Sequence, residues 1–292
     1  MTRPILEREL MSTGNLACPG CGASLAMRYA LNALGERTMV VMPAGCWSTF
    51  VGVYPHTCLA VPVMSVAFET AAATASGIKA GLLAQGIDDV TVMAWAGDGG
   101  TFDIGFQALS GAAERNDDIL YVCYDNEAYM NTGIQRSSAT PQGCWTTTTP
   151  VSIPKPQPKK DMVAIMAAHR IPYTASASVA YPDDFMTKLK KAASIRGTKF
   201  IHLFASCPTG WRHDTSLSIE VSRLAVASRV FPLYEVSDGV KWLLSSMPDK
   251  KPVDDYLKMQ GRFKAGLAAE GGTAGFQKRV DQHWKNLQDR CR

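Results

Sequence analysis

The sequence holds no run of about 18 uninterrupted apolar residues, the length a helix needs to cross a bilayer, and this speaks against a membrane span. Charge of either sign is also scarce: 19% of the 292 residues are charged, and the net formal charge is only +4. So weak and evenly spread a charge excludes a nucleic-acid binder that works by electrostatics. There is no internal repeat and no low-complexity tract. The opening stretch, MTRPILEREL, lacks the apolar core of a signal peptide, so the expected location is the cytoplasm. Histidine is rare, at positions 56, 169, 202, 213 and 283, and no two of these have metal-ligand spacing. The eight cysteines are too sparse for a small disulfide scaffold. In a reducing compartment, thiols at defined spacing point instead to metal ligation or catalysis.

What is present, 46% hydrophobic residues over a chain of this length, suffices for one large α/β domain or two small ones. Residues 22–35 (GASLAMRYALNALG) carry apolar side chains at helical spacing and stop at Gly35, which predicts a glycine-capped helix. MVVMPAG, TVMAWAG, ILYVCYDN, YTASAS and KFIHLFAS read as strands, KFIHLFAS being the final one. Residues 65–85, the stretch from GDGGTFDIG to about Glu114, DMVAIMAAHR and DDFMTKLKKAASI read as helices between them. This alternation predicts an α/β fold, a mostly parallel sheet with helices on both faces. Residues 150–160 (PVSIPKPQPKK) read as an exposed excursion. The main domain is expected to span residues 1–250, with 251–292 as a peripheral C-terminal helical arm.

In such sheets, ligands bind beyond the carboxyl ends of the strands. Four polar or cysteine-bearing turns are expected there: Ala44–Cys46, Gly97–Gly100, Asp125–Asn131 and Cys207–Gly210. Gly97-Asp98-Gly99-Gly100-Thr101 lies between a strand and a helix, where glycines admit a ligand to the backbone and free N–H groups attract phosphate. A carboxylate alone would repel that phosphate. A divalent cation between them turns repulsion into coordination, and Mg2+ favours carboxylate, carbonyl and phosphate oxygens together. Asn126, 28 residues after Asp98 and one crossover away, supplies a second oxygen. A plain tight turn explains Gly-Asp-Gly taken alone; with Asn126 in that place, the metal–diphosphate reading is the better one.

Cys18-Pro-Gly-Cys21 is a turn able to hold a metal centre through two thiolates, and Cys46 and Cys207 fall at inferred strand ends. Four such thiols are compatible with a four-cysteine zinc site, an iron–sulfur cluster, or a redox C-x-x-C accompanied by two unrelated thiols. Beside a cofactor site, an electron carrier is useful and a structural zinc is not.

The words GDGGTFDIGFQALSGAAERN and YDNEAYMNTGIQRSS resemble the β subunit of 2-oxoacid:ferredoxin oxidoreductases, the pyruvate enzymes in particular. CPGCG, VAFETAAATASG, IPYTASAS, and CPTGW with the following IEVSRLAVASRVFPLYE extend the resemblance over about residues 14–240. It implies a thiamine diphosphate-binding fold in which Asp98 and Asn126 hold Mg2+ through their side chains and Ala128 through its carbonyl. Gly97, Gly99 and Gly100 would approach the diphosphate. Asn131 would lie near the reactive ring, as the catalytic candidate. Cys18, Cys21, Cys46 and Cys207 would ligate a proximal 4Fe-4S cluster, Cys46 also touching the cofactor, whereas Cys58, Cys123, Cys144 and Cys291 match no such position. The implied reaction is oxidative decarboxylation of a 2-oxoacid, with coenzyme A taking the acyl group and ferredoxin the electrons. Pyruvate is the first choice of substrate. Phenylglyoxylate, branched-chain or oxalate-type substrates, a non-redox thiamine carboligase and a zinc-binding scaffold are the competing readings. The chain has no C-x2-C-x2-C-x3-C-P run and no second βαβ domain for the aminopyrimidine. The resemblance implies that both lie on partner subunits, an α subunit with γ and δ subunits. One departure from many relatives is Ala23, two positions after Cys21, where any polar cofactor contact is absent.

Other conspicuous residues receive plainer readings. Trp47-Ser48-Thr49-Phe50 could shape the substrate end of the pocket, with packing against the cluster the simpler account. His56 is a weak pocket candidate, Ser110 and Ser137 have no nucleophile setting, and Cys123 belongs to the core. Lys155, Lys159 and Lys160 read as a solvated loop, with steering of an acidic partner such as ferredoxin as the alternative.

Overall fold

Short runs rich in Val, Met, Ala and aromatic residues form eight strands among the described residues. They are β1 (Thr38–Pro43), β2 (Val63–Val66), β3 (Thr91–Gly97), β4 (Leu120–Asp125), β5 (Tyr173–Ser178), β6 (Lys199–Phe204), β7 (Tyr234–Ser237) and β8 (Lys241–Leu244). The computed structural model describes residues 9–263 and 271–291. Most of the polar N-terminal stretch, and residues 264–270 and 292 of the C-terminal arm, lie outside the described residues. The strands make one sheet in the order β2-β1-β3-β4-β6-β5-β7-β8. The first six in that order pair in parallel, while β7 and β8 are antiparallel.

Period-two alternation divides the strand side chains between two cores. Met93 and Trp95 of β3 and Val122 and Tyr124 of β4 face the helices Gly22–Leu34 and Pro182–Ala193. Val92, Ala94, Tyr121 and Cys123 face the opposite way, against the helices Ala71–Ala84, Phe106–Arg115 and Met162–Ala168. Both faces are thus covered, as a parallel sheet requires, and Cys123 is core. No helix among the described residues is long and apolar enough to cross a membrane.

Several local expectations are corrected. Ser65 and Val66 belong to the edge strand β2, and the helix expected over residues 65–85 begins only at Ala71. KFIHLFAS is not the last strand, because the β7–β8 hairpin follows it. The excursion at 150–160 is not simply solvated. Lys155 is buried and donates to the carbonyls of Thr140 and Pro158, at 2.5 and 3.1 Å, and Lys160 donates to the carbonyl of Phe102. The described part of the C-terminal segment is helical (Val253–Lys258 and Gly272–Arg290). Its Tyr256, Leu257, Phe263 and Phe276 bury against Phe204, Trp211 and Phe231 in a third core.

Candidate active site

Strands β1, β3, β4 and β6 are consecutive in the sheet, so the turns leaving their carboxyl ends are neighbours. The β3–β4 register sets Gly97 opposite Tyr124, which brings Asp98 level with the Asp125–Asn126 turn. A cleft of roughly 180 Å3 opens there, lined by Cys46, Gly97, Asp98, Gly99, Gly100, Asn126, Ala128 and Asn131 together with Phe68, Tyr124, Tyr129 and Met130. Every residue expected from the sequence to meet the cofactor lines this one cleft. Cys18, Cys21, Cys46 and Cys207 line a second cavity of roughly 230 Å3, which shares Cys46, Asn126, Met130 and Asn131 with the first. These four residues are the wall between the two.

The oxygen geometry at the floor of the cleft bears on a cation. One terminal atom of the Asn126 carboxamide lies 3.0 Å from Asp98 Oδ1 and 2.9 Å from the Ala128 carbonyl oxygen. With no cation, the amide sets its NH2 there and donates to both acceptors. With its oxygen there, that atom stands 3.0 and 2.9 Å from the other two oxygens, the spacing of adjacent octahedral ligands, about 2.9 Å for Mg2+–oxygen bonds of about 2.0–2.1 Å. Asp98 is 1% exposed. Burial, and then the Asp125 charge, push its carboxyl well above the usual carboxylate range, which a bound cation would reverse. The donor set therefore fits Mg2+.

The long matching words are explained by what holds this floor in place. Ser137 Oγ donates to Asp98 Oδ2 at 2.5 Å. Asp103, in the π-helical turn Gly99–Ile104, accepts from Tyr129 Oη at 2.6 Å and from the Ser138 N–H at 3.1 Å. Tyr129 lies so close that a Cβ on Gly99 would fall 2.1 Å from its ring, so at this position packing alone demands glycine. The 129–140 loop is thus fastened by Asp98 to the Gly-Asp-Gly turn and by Asp103 to the π-helical turn that follows it. Ser137 has no nucleophile setting in the sequence, and its role is one only the fold reveals. Ser137→Ala is expected to leave the fold intact and to weaken Mg2+-dependent cofactor binding about 10–100-fold, as loss of an outer partner does. A Mg2+ titration of cofactor binding to the assembled complex checks this; unchanged affinity would mean the hydroxyl only fills space.

Around the second cavity, the two cysteine words are joined. The Gly22 N–H donates to the Ser206 carbonyl at 3.0 Å, and Ser218 Oγ donates to the Gly20 carbonyl at 2.6 Å. Burial, with the neighbouring thiols adding, pushes Cys21 up to about 11 and Cys46 up to about 12. Among the described residues, no three His, Cys, Asp or Glu side chains are gathered closely enough to hold a single metal ion. Trp47 is fully buried and sits edge-on to Trp95 at 6.2 Å, a contact contributing about 0.5–1.5 kcal/mol beyond its area. It does not line the cofactor cleft, while Phe50 lines the cysteine cavity, so this word packs rather than shapes a substrate pocket. His56 is exposed on its turn.

Residues 43–203 match the family described as thiamine pyrophosphate enzyme, C-terminal TPP binding domain, just over half the chain. The fold and the cleft therefore define a thiamine pyrophosphate-binding α/β domain. The ketoisovalerate oxidoreductase subunit VorB of Pyrococcus horikoshii is 50% identical over 289 residues, covering 96% of this chain and 92% of that protein. The pyruvate synthase subunit PorB of Methanothermobacter thermautotrophicus is 50% identical over 263 residues, covering 89% and 91%. A solved 2-oxoglutarate:ferredoxin oxidoreductase from Magnetococcus marinus superposes with a TM-score of 0.60 at 22% identity, over 75% of this chain and 82% of that one, and supports the fold. The chain belongs to the β-subunit family of 2-oxoacid:ferredoxin oxidoreductases, and is a subunit of an oxidoreductase.

Proposed function

We propose that this chain is the cofactor-carrying β subunit of a cytoplasmic complex that oxidatively decarboxylates a 2-oxoacid to its acyl-CoA and CO2. The observation that carries the proposal is the shared wall: Cys46, Asn126, Met130 and Asn131 border both the diphosphate-type cleft and the four-cysteine cavity. Bound thiamine diphosphate would supply the electron sink that decarboxylation needs. Asp98, Asn126 and the Ala128 carbonyl would hold its Mg2+, with Gly97, Gly99 and Gly100 beside the diphosphate and Asn131 beside the reactive ring. Cys18, Cys21, Cys46 and Cys207 would ligate a 4Fe-4S cluster, whose thiolate ligands need the deprotonation that burial opposes in the metal-free protein. Held there, such a cluster would supply one-electron chemistry toward ferredoxin or a ferredoxin-like subunit, with Cys46, Asn126, Met130 and Asn131 between it and the cofactor cleft. An α subunit would close the open side of the cleft, with γ and δ subunits completing the assembly.

Pyruvate is the proposed substrate, with coenzyme A as acceptor. A branched-chain 2-oxoacid is the second reading, favoured by equal identity to a relative named for ketoisovalerate. Assay of the anaerobically purified complex against a panel of 2-oxoacids, with and without coenzyme A, decides between them. The proposal expects CoA-dependent ferredoxin reduction with pyruvate above all others. A preference for 2-ketoisovalerate would move the substrate, and turnover without any electron acceptor would overturn the redox reading.

A further inference from the structure

We infer that Glu127 and Arg262 act as a pair of positioning residues for the cation, fixing the turn that presents Asn126 and Ala128. The inference rests on the metal assignment proposed above for those two residues. For the Asn126 side chain and the Ala128 carbonyl to face one point, the chain must reverse between them, and it does so with Glu127 in the left-handed region at φ +67°. Glutamate is a poor residue for that backbone, which glycine or asparagine adopts more readily. A strained residue kept between two ligands is held there by what its side chain and backbone engage.

Every polar group of Glu127 is engaged. Its N–H donates to Asp125 Oδ1 at 2.9 Å, and its carbonyl accepts from Thr140 Oγ1 at 2.7 Å. Its carboxylate takes Lys159 Nζ on Oε1 at 2.7 Å and Arg262 Nη2 on Oε2 at 2.5 Å. Alternate residues of the Asp125–Ala128 turn therefore divide their work. Asn126 and Ala128 face the cleft, while Asp125 and Glu127 face a buried network behind it, in which Asp125 also meets Lys159 and His202. Two carboxylates are balanced by two fixed cations.

Arg262 reaches the turn by a second route as well. Its guanidinium lies 3.9 Å over the Trp211 ring, and Trp211 Nε1 donates to the Asn126 carbonyl at 2.7 Å. Arg262 is 1% exposed and stands 135 residues beyond Glu127, on a segment whose Tyr256, Leu257 and Phe263 already give it apolar anchorage. Within its own segment the guanidinium also donates to Gln260 Oε1 at 2.9 Å and Tyr256 Oη at 3.2 Å, so it ties that segment to the turn. In this way Arg262 becomes part of the support of the cofactor site without lining the cleft.

The test uses the intact complex, stripped of divalent metal and retitrated with Mn2+ in the presence of thiamine diphosphate, with bound Mn2+ read by electron paramagnetic resonance. Arg262→Met and Glu127→Gln are each expected to weaken Mn2+ binding about 10–100-fold, the range for outer partners of a metal site. The double variant should be no worse than the poorer single, as for residues acting as one unit. Arg262→Lys should recover part of the affinity, and iron content and the visible spectrum should stay at the wild-type level. Wild-type Mn2+ affinity in both single variants would overturn the inference. So would a loss that tracks iron release and is not recovered by lysine, because that marks general collapse. Should Arg262→Met fail to fold, the near-isosteric Glu127→Gln decides. A wild-type complex that takes up no Mn2+ would remove the metal assignment itself, and this inference with it.

Discussion

Asp98→Ala is expected to abolish Mg2+-dependent thiamine diphosphate binding to the complex while iron content stays at the wild-type level. Loss of outer partners alone costs about 10–100-fold in metal affinity, so loss of a direct carboxylate ligand should exceed about 100-fold. The side chain is 1% exposed and meets Ser137, and its Oδ1 is one of the three oxygens that converge with Asn126 and Ala128. Its removal takes away the repulsion with Asp125 but also the acceptor of Ser137, so wild-type iron content serves as the control for an intact fold. Calorimetric titration of the cofactor with Mg2+, beside an iron assay of the same sample, reads both halves. Cofactor binding retained in Asp98→Ala would count decisively against the assignment of the cleft.

Cys207→Ala is expected to give the reciprocal result. Iron should fall well below the about four atoms per chain of a cluster held by four thiolates, and ferredoxin reduction should cease. Magnesium-dependent cofactor binding should persist, because Cys207 lines the cysteine cavity and not the cofactor cleft. Cys207 caps the turn Pro208–Trp211, and Trp211 donates to the Asn126 carbonyl, so some weakening of metal affinity should accompany loss of the cluster. Full electron transfer to ferredoxin in Cys207→Ala would remove the cluster from the proposed path.

The parallel sheet was readable because β1, β3, β4 and β6 are buried on both faces and leave almost unbroken apolar runs. The convergence of four distant turns was readable for the same reason: ligand turns follow the carboxyl ends of neighbouring parallel strands. β2 escaped because it has only four residues, sits at the sheet edge and runs into an Ala-rich helix. The β7–β8 hairpin does carry a local signal, which a search for long apolar runs misses. In YEVSDGVKWLL, Asp238-Gly239 stands between alternating segments, and both residues have positive φ, 54° and 71°, as a tight hairpin turn requires.

The site shows the same division. Gly97–Gly100, Asn126 and the cysteines sit in words with local chemical meaning. Lys159 and Arg262 do not, and the roles of Ser137 and Trp211 within their words are defined by partners tens of residues away. A lysine-rich, proline-rich stretch ordinarily means solvent. Here Asp125 and Glu127, buried behind the proposed metal ligands, need cations and draw Lys159 in. Nothing within the stretch itself encodes that demand.

On the proposed function, one polypeptide holds a cation-clamped diphosphate cofactor and an iron–sulfur cluster on the two sides of a single wall of side chains. Replacing Mg2+ by paramagnetic Mn2+, which accepts the same oxygen ligands, lets one measurement test it: the spin relaxation of the reduced cluster with and without Mn2+ and thiamine diphosphate. Faster relaxation is expected when both are bound, and none of that change in Asp98→Ala. A cluster signal indifferent to Mn2+ in the cofactor-loaded wild-type complex would contradict it.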